Sequence, residues 1–204
     1  MKSVTVPLTI VGVYAAVASF AFAAAITETI MLYPNIFRDV PESLAQTQQF
    51  MSKVAVGDVM RPLGGVLTVC ALVACAAAFR YRLARRWVGA SMISLISGQF
   101  LLSILYLWPR ATILFDERSR HSLAEVESAA TEFQVGEWVR IAAALATAVF
   151  AVAATLSCYR TRVLATVDAR FEQVAQGRVP VDHSGVVSTR DSRQPSAVRT
   201  ASKR

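Results

Sequence analysis

Glu28 is the first candidate for chemistry in this chain. It lies in the run Ala25-Ile26-Thr27-Glu28-Thr29, about twenty residues after Pro7. A helix rises about 1.5 Å per residue, so a span that starts near Pro7 places Glu28 close to the outer boundary of a bilayer. A carboxyl group there is a functional candidate if it faces other helices. Otherwise it reaches water or pairs with an arginine in a loop.

His121 and Glu125 are the second candidate, because residues four apart share one face of a helix. Together with Asp116 or Glu28 they have ligand chemistry that suits a metal ion. Two such residues at helical spacing are also typical of a surface ion pair combined with a helix cap. We favour this second interpretation over a metal site. The other histidine, His183, falls in a polar tail, which argues against a bis-histidine haem. We therefore take Glu28 and His121 as candidate catalytic residues and predict neither a metal nor another cofactor.

Aromatic and polar side chains near the predicted helix ends are candidate ligand contacts. Leu32-Tyr33-Pro34 and Leu107-Trp108-Pro109 are similar corners, and each precedes a Ser-Leu-Ala helix start. If the corners form an internal repeat, their aromatic residues and prolines lie together at the outer mouth, beside Glu28. The candidate binding residues are Tyr33, Asn35, Gln99, Trp108, Arg110, Trp138 and Arg140.

The elements that must position these residues are membrane spans. The stretch Arg80 to Trp87 carries four arginines and separates two runs, 63–79 and 88–107, that hold no charged residue. Each run is long enough to cross a hydrocarbon core of about 30 Å as a helix. The positive-inside bias keeps the arginine stretch cytoplasmic and fixes the direction of the other spans. The predicted spans are about 7–32, 63–79, 88–107 and 140–158.

Composition and charge support the same arrangement. The chain has 204 residues, 54% of them apolar, and a net charge of +7. The predicted cytoplasmic segments hold 14 Lys/Arg against four acids, whereas the remaining segments hold seven against ten. This split is typical of multi-pass topology and no recognition motif accompanies it, so we predict no nucleic-acid partner. We expect a plasma (inner) membrane protein with both termini cytoplasmic, and a basic, largely disordered tail over 161–204.

Two alternatives concern the first span and the cysteines. Ala21-Phe22-Ala23 resembles a signal-peptidase site, but the apolar run from Val4 to Ile26 is longer than a secretory signal usually has, so we favour a retained helix. Cys70, Cys75 and Cys158 all fall in apolar runs and form no Cys-x-x-Cys pair. They are expected to fill helix contacts rather than to bind metal or form disulfides.

The outer connections predict two short amphipathic helices. Pro41-Glu42 suits a helix start, and apolar residues recur at helical spacing after it. Ser122 with Glu125 is a capping box, and the helix that it starts is either separate or continuous with the fourth span. The fold class is therefore an all-α, four-helix transmembrane bundle with two short amphipathic helices on the outer side.

Small and polar residues inside the spans predict helix contacts. Ser94 and Gly98 form a small-xxx-small pair, and Gly64-Gly65 at the start of the second span would also allow close approach of a neighbouring helix. Gln99 needs a hydrogen-bond partner on another helix if it is buried.

The layout also resembles a known family. Tyr33-Pro34-Asn35, Trp108-Pro109-Arg110 and Trp138-Val139-Arg140 mark three helix ends in a four-span chain with a long first outer connection. This pattern, over about residues 5 to 158, resembles the anthrone-oxygenase-like family of small membrane proteins. The resemblance implies a four-helix bundle and, in characterised members, oxidation of a polycyclic aromatic by dioxygen without a tightly bound cofactor. It assigns no catalytic residue.

Three functional hypotheses follow. The chain is most simply an assembly or interaction component that associates with itself or with a membrane protein partner in the bilayer, given its many small residues. It is alternatively a membrane enzyme acting on a hydrophobic aromatic or quinone-like ligand at the outer mouth, with Glu28 or His121 in acid/base roles. A small transporter or channel is the third hypothesis. Its weakness is that no charged residue lies near the midplane of the predicted spans.

Overall fold

The computed structural model describes residues 5–176, and over this range the chain folds into helices joined by short connections, with no strand. Four helices are long and apolar enough to cross a bilayer. The chain is therefore an all-α membrane protein with a four-helix bundle, as predicted. The helices are α1 (Thr5–Ile36, interrupted at Leu32), α2 (Glu42–Phe50), α3 (Val56–Tyr81), α4 (Arg85–Asp116) and α5 (Leu123–Ala175).

Contacts divide the chain into two units, Met1–Ala165 and Thr166–Arg204. The first unit contains the bundle. The described part of the second is the C-terminal end of α5, where the side chains of residues 166–173 are mostly exposed. Residues 160–175 continue the helix of the fourth span. The rest of the predicted disordered tail, after residue 176, lies outside the described residues.

The long helices extend beyond the predicted spans, and in α4 the reason is that a proline does not end the helix. Pro109 was expected to stop the third span, yet α4 continues through it to Asp116. It does so with widened turns, in which the Glu117 N–H donates to the Thr112 carbonyl five residues earlier (2.9 Å). At about 1.5 Å per residue, α4 exceeds a 30 Å hydrocarbon core, so one end of the bundle projects beyond the hydrocarbon.

The second predicted outer helix is the N-terminal part of α5. Its capping box forms as expected, with the Ser122 N–H donating to Glu125 Oε2 (2.8 Å) and the Glu125 N–H pointing at Ser122 Oγ (3.4 Å). The helix then continues without a break into the fourth span. Gly136 does not interrupt it, because Tyr106 and Leu107 of α4 pack directly on this position and a helical glycine costs only about 1 kcal/mol.

Two buried apolar clusters occupy the bundle. The turn-end cluster lies toward the short α3–α4 turn and includes Val11, Leu67 and Ala151. The connection-end cluster lies toward the long connections and includes Ile36, Leu44 and Leu114. Alanines supply much of the first cluster, as expected for close packing in lipid.

Hydrogen bonds across helices join α4 to its neighbours. Ser91 Oγ donates to the Thr147 carbonyl (2.8 Å), so the 2.6 Å contact between Ser91 Oγ and the Tyr14 hydroxyl has Tyr14 as its donor. Ser94 Oγ donates to the Ala143 carbonyl (2.9 Å). These bonds link α1, α4 and α5 within the apolar part of the bundle.

The two predicted glycine contacts have different outcomes. At Gly98 an added Cβ would lie far inside van der Waals contact of Ala143, so the Ser94–Gly98 pair is a packing surface, as predicted. At Gly64 and Gly65 an added Cβ would have nothing within 4 Å. The predicted close approach at these two residues is wrong within the described chain, because α3 turns this part of its surface away from α1 and α4.

Candidate functional site

Glu28 lies inside the bundle, one turn before the interruption of α1 at Leu32. Its side chain is only 6% exposed, and neighbouring Thr29 is also buried. The interruption is followed by a short helical turn, Tyr33–Ile36, which brings the Tyr33 hydroxyl back to Glu28 Oε1, to which it donates a hydrogen bond of 2.5 Å. Glu28 therefore faces other helices, which is the condition under which its carboxyl group is a functional candidate.

Arg140 and Glu137 reach the same place from α5. Arg140 Nε donates to Glu137 Oε2 (2.8 Å), and Arg140 Nη2 lies 2.6 Å from the same oxygen. Arg140 Nη2 is also 3.9 Å from Glu28 Oε2. We call Glu28, Tyr33, Glu137 and Arg140 the polar layer.

Three members of the polar layer, Glu28, Glu137 and Arg140, lie between the two apolar clusters along their helices, and Tyr33 also belongs to the connection-end cluster. Along α1 the layer follows the turn-end cluster and precedes Ile36, and along α5 it lies between Phe133 and Ala148. Charges in such surroundings are stable only when they are paired and hydrogen-bonded. Among residues 5–176, Arg140 is the one cation that contacts the two buried carboxyl groups, so both depend on it.

At this layer, two buried oxygens have no hydrogen-bond partner within the described part of the chain. They are Glu28 Oε2, whose nearest cation is Arg140 at 3.9 Å, and Thr29 Oγ1. Unsatisfied buried polar atoms are costly and uncommon. The pair therefore marks a place where a ligand or water can supply hydrogen bonds.

A groove of about 80 Å³ adjoins the polar layer and is lined by Thr29, Tyr33, Pro34, Gln134 and Trp138. Tyr33 belongs to both, because it lines the groove and donates to Glu28. Trp138 is 55% exposed, so the groove has an aromatic wall that continues onto the outer surface of the bundle. An engineered cavity of about 150 Å³ accepts benzene. The groove is thus large enough for the polar edge of a ligand but does not enclose a ring system.

Other predicted site residues lie away from the groove. Asn35 is exposed and its Nδ2 donates to the Met31 carbonyl (2.8 Å). Gln99 Nε2 donates to Thr147 Oγ1 (2.9 Å), which gives this residue the partner on another helix that the sequence required. Trp108 is 53% exposed and does not line the groove.

The internal-repeat prediction placed Trp108 and Pro109 beside Tyr33. The groove is instead formed by α1 and α5, and its tryptophan is Trp138. The reason is that α4 passes through Pro109 as a helix, whereas α1 is interrupted at Leu32 just before Pro34. The two corners therefore have different conformations.

Arg110 contacts Glu132 and Tyr106 and does not line the groove. Its Nε donates to Glu132 Oε2 (2.6 Å), its Nη1 donates to the Tyr106 carbonyl (2.9 Å), and the guanidinium carbon lies 3.5 Å from the centre of the Tyr106 ring. The bond to Glu132 joins α4 to α5, whereas the contacts with Tyr106 lie within α4.

His121 belongs to the start of α5. Its Nδ1 is 3.7 Å from Glu125 Oε2, and that carboxylate also accepts from the Ser122 N–H, so His121 lies beside a helix cap. Within residues 5–176, no group of three His, Cys, Asp or Glu side chains is placed to hold a metal ion. The structure does not bring His121 to Glu28.

Three residues of this site were not predicted from the sequence. Glu137 was counted with the outer connection because the fourth span was predicted to begin at residue 140, and Thr29 and Gln134 were not singled out. A signal for Glu137 was present, since it precedes Arg140 by three residues and a helix places such a pair on one face. Nothing in the sequence indicates that Thr29 and Gln134 face each other.

Comparisons with known proteins give no assignment. No family model, no curated protein and no solved structure matches the chain. The anthrone-oxygenase-like resemblance therefore stays a prediction, which rests on the three helix-end motifs.

Proposed function

We propose that this chain is a membrane enzyme that acts on a lipid-soluble aromatic or quinone-like molecule at the groove. The observation that carries the proposal is the position of Tyr33, which lines the groove and donates to the buried carboxyl group of Glu28 with its hydroxyl. A proton taken from a ligand in the groove thus has a route to an acceptor that is shielded from water.

Some of these residues would bind the ligand and others would transfer its proton. Trp138 offers a ring face to the apolar part of the ligand, and Thr29 and Gln134 offer hydrogen bonds to its polar edge. Glu28 serves as general base through the Tyr33 hydroxyl. Arg140, 3.9 Å from Glu28, supplies the positive charge that offsets negative charge arising in the layer.

The family resemblance supplies the reaction class. That class is oxidation of a polycyclic aromatic by dioxygen. In our proposal, a methylene group of the ligand loses a proton, the resulting carbanion reacts with dioxygen, and the carbon becomes a carbonyl with release of water. The balance is R₂CH₂ + O₂ → R₂C=O + H₂O, so dioxygen is the oxidant and no reductant is needed. The groove residues contribute the first step, removal of the proton.

Tryptophan fluorescence tests binding at the groove. The chain has three tryptophans, Trp87, Trp108 and Trp138. A variant that keeps only Trp138 is titrated in detergent with a menaquinone analogue and with anthrone. We expect saturable quenching, which weakens in Tyr33→Phe and Thr29→Val backgrounds. Oxygen uptake with anthrone as substrate should fall at least tenfold in Glu28→Gln.

The matched control keeps only Trp108, which is as exposed as Trp138 but does not line the groove. Its quenching should rise linearly with ligand, as expected for partitioning into the micelle. Equal, non-saturating quenching of both tryptophans would remove the groove as a binding site. Saturable binding without oxygen uptake would retain the site and reject the oxidation.

Assembly through α3 is the second candidate function. Gly64 and Gly65 have nothing within 4 Å of their Cβ positions, although paired glycines in a span are typical of helix contacts. A second copy or a membrane protein partner would supply the missing contact. Crosslinking in native membranes tests this, because Gly64→Leu and Gly65→Leu should abolish a specific crosslinked species. A chain that remains monomeric in membranes contradicts it.

Transport through the bundle is the third candidate function. A channel would have to open the turn-end cluster, which closes the bundle on one side of the polar layer, so we rank this alternative last. The proposed location is the plasma membrane, and the charge distribution favours an orientation with both termini cytoplasmic. Reporter fusions at each terminus and in the α4–α5 connection check this orientation.

A further inference from the structure

The turn between α3 and α4 concentrates positive charge at one end of the bundle. Three residues separate the two spans, and Arg82 and Ala84 both adopt the left-handed conformation (φ 58° and 51°). The Leu83 N–H donates to the Ala78 carbonyl (3.1 Å), which tightens the reversal. A turn this short cannot leave the membrane surface, so its side chains lie at the level of the lipid headgroups.

Three of the four arginines at this turn are unpaired. Arg80, Arg82 and Arg86 are exposed, and within the described residues none of them forms a hydrogen bond or an ion pair through its side chain. At the opposite end of the bundle, Arg38 and Arg120 each pair with a carboxylate. In the described part of the chain, the arginines at the turn lack carboxylate partners because residues 59 to 115 contain no Asp or Glu.

The surrounding framework fixes the turn without using these three side chains. Arg85 Nη2 donates to the Phe79 carbonyl (3.3 Å), and its guanidinium lies 5.6 Å from the Phe79 ring centre. Trp87 packs on Phe150 of α5 with ring centroids 6.2 Å apart. Arg85 and Trp87 therefore hold the turn, and the other guanidinium groups remain available.

We infer that Arg80, Arg82 and Arg86 form a binding site for the phosphodiester group of an anionic phospholipid. Guanidinium groups donate paired hydrogen bonds to phosphate oxygens, which favours arginine for this group. Basic residues next to a span attract anionic headgroups, and zwitterionic lipids carry an ammonium group that opposes this attraction. The predicted topology places the site in the cytoplasmic leaflet. This inference is independent of the proposed enzymatic function.

Native mass spectrometry of the full chain tests the site. The protein is exchanged from mild detergent into an equimolar mixture of phosphatidylglycerol and phosphatidylcholine, and the ratio of the two bound lipids is measured. In the variant Arg80→Gln/Arg82→Asn/Arg86→Gln we expect the phosphatidylglycerol preference to fall at least tenfold, equivalent to about 1.4 kcal/mol. Asparagine is chosen at residue 82 because it tolerates the left-handed conformation.

The matched control is Arg38→Gln/Arg120→Gln, which removes charge at the opposite end, where each arginine is already paired. It should keep the wild-type preference. An equal loss in both variants, or no loss in the first, overturns the inference. Should the first variant fail to fold, the wild-type protein still decides. Its preference must fall as salt rises from about 50 to about 500 mM, and a salt-independent preference overturns the site.

Discussion

Replacing Arg140 with glutamine should destabilise the bundle strongly. The change removes the cation that contacts two buried carboxyl groups, Glu137 at 2.6 Å and Glu28 at 3.9 Å, whose side chains are 2% and 6% exposed. It keeps much of the side chain's length and its ability to donate a hydrogen bond. The main loss is therefore electrostatic.

The expected magnitude follows from burial. Removing one partner of a buried ion pair typically costs about 3–5 kcal/mol, because an uncompensated charge is left in apolar surroundings. Here two carboxyl groups lose their partner, so we expect a value in the upper part of this range. The comparison is Arg120→Gln, which breaks a pair whose arginine is 75% exposed. Exposed pairs contribute about 0–1 kcal/mol.

The assay is reversible unfolding in mixed micelles as the mole fraction of SDS rises, followed by far-ultraviolet circular dichroism. A shift of the Arg140→Gln midpoint that is no larger than the Arg120→Gln shift would refute the reasoning. A neutral triple variant, Glu28→Gln/Glu137→Gln/Arg140→Gln, separates charge from packing. It should recover most of the lost stability, because no buried charge remains. Failure to recover would show that the shape of the layer, rather than its charge, is what matters.

Three further predictions concern packing, hydrogen bonding and capping. Gly98→Val should lower the free energy of unfolding by about 1–3 kcal/mol, because the added atoms overlap α5. Gly64→Val should leave the SDS unfolding midpoint of the monomer unchanged. Tyr14→Phe should cost about 0.6 kcal/mol, the average for an interhelical hydrogen bond in a membrane, and a double-mutant cycle with Ser91→Ala should show coupling. Ser122→Ala should cost about 1 kcal/mol by removing the helix cap, measured as faster hydrogen exchange in the first turns of α5.

The four spans were predictable because the bilayer imposes a simple rule. Backbone N–H and C=O groups in hydrocarbon must bond within the segment, so a long apolar run such as 88–107 has to be a helix. Helix ends were less predictable. Pro109 removes one donor and was expected to end α4, but the helix continues through it, with widened turns on either side.

The candidate site was predicted only in part, because single residues stood out but their grouping did not. Glu28 stood out as an ionisable group near a span, and Tyr33, Trp138 and Arg140 stood out as residues at helix ends. Their grouping depends on how α1 and α5 lie against each other, which no local pattern encodes. Trp108 had the same local signal as Trp138 but does not line the groove.

The sequence by itself determined the class of protein, the number of spans, the capping of α5 and the helix contact at Ser94 and Gly98, because these follow from hydrophobic length, helical spacing and side-chain size. Only the tertiary structure decided that Glu137 is buried and that one arginine serves two carboxyl groups. The pairing of Arg140 with Glu28 joins α1 to α5 over more than a hundred residues, and the energy of such a pair depends on distances that a sequence does not contain.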